Sequence, residues 1–465
     1  MAKRIKINTL IFTLVTLGYS TAALSANWLM LQGTERPDAT HNFWGFVQPA
    51  YTNDRGDDLQ GLIGTAAANN GKRVANNVIA PEYEDDTEFH FRRARVGARG
   101  RFTGKARNEF TAKINYFTLV ELAPNLMTYD PFGDRARAVA PDHFSLTFNH
   151  IKGARVRAGL FKTPGPEETF QAIHTFSYIE FTDFVGREIL ERFVSGNAPC
   201  PGCTNTAVGT PTKTGYGFNA VRDWGVQVFD AFRQNDWTLS YAAMLGRGEG
   251  IHETSDTDDN RELYLYGSAE YDLPGGKGPR KHGIKLFGWQ QKGKRSFSTD
   301  TTHQEFDRIR KGAGFVALGN LFGGKYRHRI SAEYMLAQGM IFIAPAGNVK
   351  GGNLMYATDK ENEARGYYID YGFFLDKHWE FDIRYDRDDL LHKQAANIGA
   401  LAERQITATT VGVNYHVSPR QRFTANYIMR DAKAPNAQPG GLATNVPIIV
   451  DSLGDRLALQ YTWIF

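Results

Sequence analysis

The sequence predicts an all-β chain: a sixteen-stranded antiparallel transmembrane β-barrel with short turns at one end, long loops at the other and a lumen-inserted third loop. Three observations predict it. Sixteen segments alternate apolar and polar side chains with period 2, each bounded by turn residues. The connections between them alternate short and long. No segment beyond the N-terminal leader holds an uninterrupted apolar run of the roughly 20 residues that a membrane helix needs.

The leader itself is legible. Lys3, Arg4 and Lys6 precede a short apolar stretch from Leu10 to Leu17, and Ala23-Leu24-Ser25-Ala26 then supplies small residues. This is the pattern of a cleaved secretory signal, cut after Ser25 or Ala26. Residues 1–26 are therefore read as signal peptide and 27–465 as the barrel. Aromatic residues make up 13% of the chain, which suits a wall whose apolar and polar residues alternate and cancel in the average hydropathy. The formal charge is +4, and without the three leader cations about +1. A nucleic-acid binder would carry a far larger basic excess.

The last segment is the clearest strand. Leu457, Leu459, Tyr461, Trp463 and Phe465 fall on one face, and Arg456, Ala458, Gln460 and Thr462 on the other. Reading from the start, strands are expected at 42–52, 88–102, 108–120, 142–151, 154–163, 218–233, 236–246 and 261–273. The second half gives 281–292, 304–319, 325–337, 364–376, 378–387, 403–417, 420–431 and 452–465. Most reach the ~9–11 residues of a tilted membrane strand. The short connections include Lys152–Gly153, Gln234–Asn235, Pro274–Arg280 and Ser418–Pro419, whereas 53–87, 121–141, 164–217 and 338–363 are long. A soluble sandwich has no reason to alternate its loops in this way.

Parity sorts side chains into lipid-facing and lumen-facing. Phe110, Ala112, Ile114 and Tyr116 oppose Glu109, Thr111, Lys113 and Asn115; Trp379, Phe381, Ile383 and Tyr385 oppose Glu380, Asp382, Arg384 and Asp386. The inner face reads as wet and charged. Its candidate pore-lining cations are Arg93, Arg95, Arg99, Arg101, Lys113, Arg155, Arg157, Lys162, Lys285, Arg327, Arg329, Arg384 and Arg422, with Arg308 and Arg310 expected inward as well. Rings of Arg and Lys are the means by which pores select anions. Acidic inward residues (Glu109, Glu270, Glu333, Glu380, Asp382) are present too.

The third connection, 164–217, is too long to be a simple link and is expected to be functional. Its large apolar residues, among them Phe170, Phe176, Tyr178, Phe184 and Ile189, need somewhere to pack, and the barrel interior is the expected place. Glu180, Asp183, Arg187, Glu188 and Arg192 are its candidate constriction residues. Its tip, Pro199–Lys213, carries Cys200 and Cys203, the two cysteines of the chain, read as a small disulfide. Thr204 follows where a haem attachment site would need His. No cofactor motif is found.

Three motifs resemble the phosphate-selective porin O and P family of outer-membrane porins. They are Arg92-Arg93-Ala94-Arg95-Val96-Gly97-Ala98-Arg99-Gly100, Gly159-Leu160-Phe161-Lys162-Thr163-Pro164, and Arg222-Asp223-Trp224-Gly225-Val226-Gln227. The resemblance implies homotrimers in outer-membrane lipid and lipopolysaccharide, a loop folded into each lumen, and passive diffusion of small polar solutes such as the anion phosphate. Arg93, Arg95 and Lys162 match its lining positions. Trp224, the acidic third loop and the small net charge depart from the pattern, and substrate does not transfer with fold. The competing classes are an outer-membrane enzyme, for which no Gly-x-Ser-x-Gly motif is present, and a structural or adhesive barrel acting through its loops.

Overall fold

The alternating segments become sixteen long strands in the computed structural model, which describes residues 27–31, 41–73, 75–76, 81–82, 87–123, 139–190, 208–209, 221–248, 259–276, 280–296, 305–343, 355–357, 359–393, 403–435 and 444–465. We number them β1 (His41–Arg55), β2 (Thr87–Arg101), β3 (Ile114–Glu121), β4 (Ala140–Phe148), β5 (Arg155–Lys162), β6 (Arg222–Gln234), β7 (Trp237–Gly246) and β8 (Glu262–Asp272). The second half is β9 (Gly283–Ser296), β10 (Glu305–Gly319), β11 (Arg327–Gln338), β12 (Glu363–Phe374), β13 (Trp379–Lys393), β14 (Gln405–Ser418), β15 (Gln421–Lys433) and β16 (Asp455–Ile464). Each expected strand has one counterpart.

Every strand pairs antiparallel with its neighbours in sequence, and β1 pairs with β16 to close the ring. At the seam Phe46 lies opposite Ile464, while Gly45 and Phe465 exchange N–H···O bonds of 3.1 and 3.0 Å. Closure removes the open edges that lipid cannot solvate. Short turns join one end. Between β6 and β7 the link is Asn235-Asp236, with Asn235 at φ 54°, the positive φ that Asn tolerates in a two-residue hairpin.

The first short connection differs from expectation. Strand β3 starts at Ile114, not 108. The Asn108 Oδ1 accepts the N–H groups of Phe110 (3.0 Å) and Thr111 (2.9 Å), and 3₁₀ turns cover Gly104–Ala106 and Thr111–Lys113. This side-chain bond competes with the ladder. Lys113 and Glu109 are consequently exposed in the turn and do not lie on the inner wall.

Parity otherwise sorts the wall as alternation dictates. Val226, Leu245, Leu286 and Ile383 face outward and are exposed, while Gln227, Lys285, Asp382 and Arg384 between them are buried. The inner face is not uniformly charged, however. Phe229, Tyr266, Phe287, Trp289, Met335 and Tyr368 also point inward, where they form the main apolar core with Phe170, Phe184, Val185 and Ile189 of the third connection. The expectation of a wet, charged lumen is corrected in part: on β8 and β9 the inner face carries Tyr266, Phe287 and Trp289 among its charged residues, and these aromatics seat a loop.

Because Val96 faces outward on β2, Val96→Arg should lose about 2–4 kcal/mol of barrel stability if it lies near the midplane. Urea titration of folded protein in vesicles will measure the loss.

The lumen and its third loop as candidate functional site

The third connection leaves β5 at Lys162, whose ammonium donates to the carbonyls of Thr169 (2.8 Å) and Gln171 (2.6 Å) and so holds the chain as it turns inward. The described stretch runs to Leu190 and crosses the barrel, making contacts with inward side chains of β2, β9, β10, β11, β13 and β15. Glu167 pairs with Lys285 of β9. Glu168 accepts from Arg384 of β13 (2.9 Å) and from the hydroxyl (2.7 Å) and N–H (3.1 Å) of Thr182, which ties the loop's two limbs together. Tyr178 donates to Asp370, and Asn426 of β15 accepts the Ile179 N–H at 2.8 Å.

A four-membered charge group anchors the loop's middle. Arg329 of β11 reaches Asp370 (2.8 Å), Glu380 (2.8 Å) and Asp382 (2.7 Å), and its Nη1 also donates to Ser177 Oγ at 2.6 Å. Among the described residues, the loop's acids are each matched in turn. Glu180 is held bidentately by Arg92 at 2.8 and 2.7 Å; Asp183 lies 3.5 Å from Arg187, which also faces Asp388 at 3.5 Å. Arg310 donates to the Glu188 carbonyl (2.8 Å) and carboxylate (3.3 Å). Close packing fixes the loop's height: a Cβ on Gly366 of β12 would lie 2.5 Å from Phe184 Cβ, so only glycine fits there.

Arg92 was not expected inside. Gln48 pairs with Arg93 but Pro49 pairs with Phe91, so Arg92 is the extra residue of a β-bulge. The bulge re-aims it beside Arg93. A signal was available: the apolar outward residues of β2 are odd-numbered at Phe89 and Phe91 and even-numbered from Ala94 onward, and Pro49 in the facing strand cannot donate to the ladder. Arg222, Arg430 and Arg456 were missed as well, although Arg430 shares the parity of Arg422.

The remaining candidates fall as follows. Arg93 donates to Gln48 Oε1 at 3.1 Å, and Arg95 bridges Glu121 and Asp142 at 2.8 Å each. Arg99 lies over the Trp44 ring at 5.7 Å, and Arg101, at the end of β2, is half-buried. Arg155 is 3.7 Å from Asp230; Arg157 lies over Phe229 at 4.4 Å and Arg327 over Phe374 at 3.8 Å. Arg422 donates to the Phe176 carbonyl at 2.6 Å. Arg192, Cys200 and Cys203 lie outside the described residues.

The loop's titratable groups report the field around them. Burial would raise Glu180, but Arg92 and Arg456 hold it at about 2. Burial pushes Glu188 up to about 7 against the pull of Arg310 and Arg308. His174 is depressed to about 3 by burial and by the cations Lys162, Arg422, Arg99 and Arg95. Beneath the loop, towards the short turns, His174, Arg280, Arg329 and Arg422 line a cavity of about 360 Å³.

The architecture is that of solved outer-membrane channels. The barrel is similar to Salmonella typhi OmpF in complex with daunomycin, with 8% identity, a TM-score of 0.52, and coverage of 93% of this chain and 100% of that one. It is also similar to the anion-selective porin from Comamonas acidovorans (12% identity, TM-score 0.49, coverage 92% and 100%) and to the outer membrane channel DcaP of Acinetobacter baumannii (12%, 0.47, 93% and 99%). No curated protein matches in sequence. The family profile of phosphate-selective porin O and P matches residues 75–462. With the closed sixteen-strand barrel, that match shows that the chain belongs to the phosphate-selective porin O and P family and is a porin of the Gram-negative outer membrane.

Proposed function

We propose that the porin passes small polar solutes passively with a preference for anions such as phosphate, that its third loop is the constriction, and that it carries out no catalysis. Family membership supports a homotrimer embedded in outer-membrane lipid and lipopolysaccharide. The observation that carries the anion preference is the environment of His174. Burial first, and then the charges of Lys162, Arg422, Arg99 and Arg95, keep its imidazole neutral down to about pH 3. A small anion entering that space meets the charges of those cations with the favourable sign. Lys162 and Arg422 are held there by neutral backbone carbonyls, so their hydrogen bonds position the side chains. Three of the loop's acids do not offset this field freely, since Glu167, Glu168 and Glu180 each face a cation.

In planar bilayers under a potassium chloride gradient, the reversal potential of the parent should have the sign of an anion-preferring pore. Lys162→Gln/Arg422→Gln should move it towards cations, and Lys162→Arg/Arg422→Lys should restore it. A parent that prefers cations would overturn the reading.

Deleting Glu168–Arg192 and joining the ends with a short Gly-Ser linker should raise single-channel conductance severalfold and weaken ion discrimination. A folded deletion variant that conducts like the parent would place the constriction elsewhere.

Glu188, with its pKa near 7, gives a pH dependence. It gains negative charge as pH rises through that value, so anion preference should weaken between about pH 5.5 and about pH 8. Glu188→Gln should flatten that dependence; an unchanged slope would remove Glu188 from the path.

A further inference from the structure

The residues that precede the first strand run into the barrel. Trp28–Leu31 forms a single helical turn, and Trp28, Leu29 and Met30 are buried, Leu29 completely. They join the same apolar cluster as Phe170 and Phe184 of the third loop and Phe229 and Tyr266 of the wall. Asn27 Nδ2 donates to Ser240 Oγ of β7 at 2.5 Å, and Asn27 Oδ1 accepts the Met30 N–H at 3.2 Å. The Leu29 carbonyl lies 3.5 Å from Arg157 Nη2 of β5. Ser240 and Arg157 both face inward and are buried.

We infer that Asn27–Leu31 is a lumenal plug: a second internal element that narrows the passage beside the third loop and masks Arg157 from permeating anions. The chemistry of the contacts carries this. Three adjacent large apolar side chains are seated against inward aromatics, which is a burial-driven association that needs no charge partner. The plug residues, Asn27-Trp28-Leu29-Met30-Leu31, bring no carboxylate to Arg157, so they cover the guanidinium sterically. Trp28 also borders the cavity that contains His174 and Arg422, which puts the plug on the wall of the proposed path and not in a closed recess. The plug thereby lowers both the open area and the number of cations that an ion meets.

This inference rests on the reading of the barrel as an anion-preferring channel, and its test separates the two. Trp28→Ser/Leu29→Ser/Met30→Ser, folded and reconstituted beside the parent, should show a severalfold higher single-channel conductance and a reversal potential shifted further towards anions. Adding Arg157→Gln in that background should cancel the selectivity shift and keep the conductance gain. A second variant tests the position independently of conduction. Asn27→Cys/Ser240→Cys, in a Cys200→Ser/Cys203→Ser background, should be bridged intramolecularly by the short thiol cross-linker dibromobimane and still conduct like the parent. A folded triple-serine variant indistinguishable from a conducting parent, or the absence of that cross-link, overturns the plug. A parent that does not conduct, with the cross-link present, overturns the channel reading alone.

Discussion

Backbone N–H and C=O groups at membrane depth have no water to bond, and the pairing of β1 with β16 is where this chain meets that requirement. The other features follow from it. A closed sheet has one face in lipid, so charge is forced to the inner parity, and the inner parity encloses a space. A loop that enters that space gives up solvent in its turn, and its polar groups must then be satisfied by the wall. That is why Asn426 accepts the Ile179 N–H and why Arg422 donates to the Phe176 carbonyl. It also explains how Arg329 can sit among three carboxylates: they supply the charge, and Ser177 adds a fourth acceptor.

Buried ion pairs of this kind are poor sources of net stability but are costly to break, about 3–5 kcal/mol when one partner is removed. The basic residues of β2 consequently have two roles. Arg95 is the bridge between Glu121 and Asp142, which Arg222 also contacts at 3.0 Å, so its removal would leave buried carboxylates short of a cation. A selectivity measurement on Arg95 variants would therefore mix electrostatics with structure. Lys162 and Arg422 are cleaner probes because they donate to backbone carbonyls.

Strand number, order and most inward parities were legible because a lipid wall enforces alternation at every position. Three features were less so, each for a local reason. The turn before β3 carries the residues of a strand, but Asn108 captures two N–H groups that a ladder would have used. The bulge at Arg92 shows in the sequence as a change of apolar parity between Phe91 and Ala94, which an assumption of unbroken period 2 passes over. The loop's apolar content pointed to an interior seat, yet where on the wall it packs depended on Phe287, Met335 and Tyr368, whose outward neighbours are apolar or aromatic as well. Alternation cannot tell a dry inner face from a lipid-facing one when both are hydrophobic.

That two-faced stretch gives the lumen its asymmetry. The apolar cluster draws on inward residues from β6 to β13, and the third loop and the Trp28 turn both lie against it. The cations that converge on His174 come from the opposite arc: Arg95 and Arg99 on β2, Lys162 at the end of β5 and Arg422 on β15. Apolar side chains crossing a lumen will settle where the wall is apolar, because that is where burial is gained. The space they leave open beneath the loop is bounded by Arg280, Arg329, Arg422 and His174 together with Glu168, Asp370 and Glu380. Apolar and charged side chains share the arc that seats the loop, since Lys285 and Asp370 lie on the same strands as Phe287, Trp289 and Tyr368. An apolar substitution there therefore acts on selectivity by moving the loop, whereas a charge change acts on it directly.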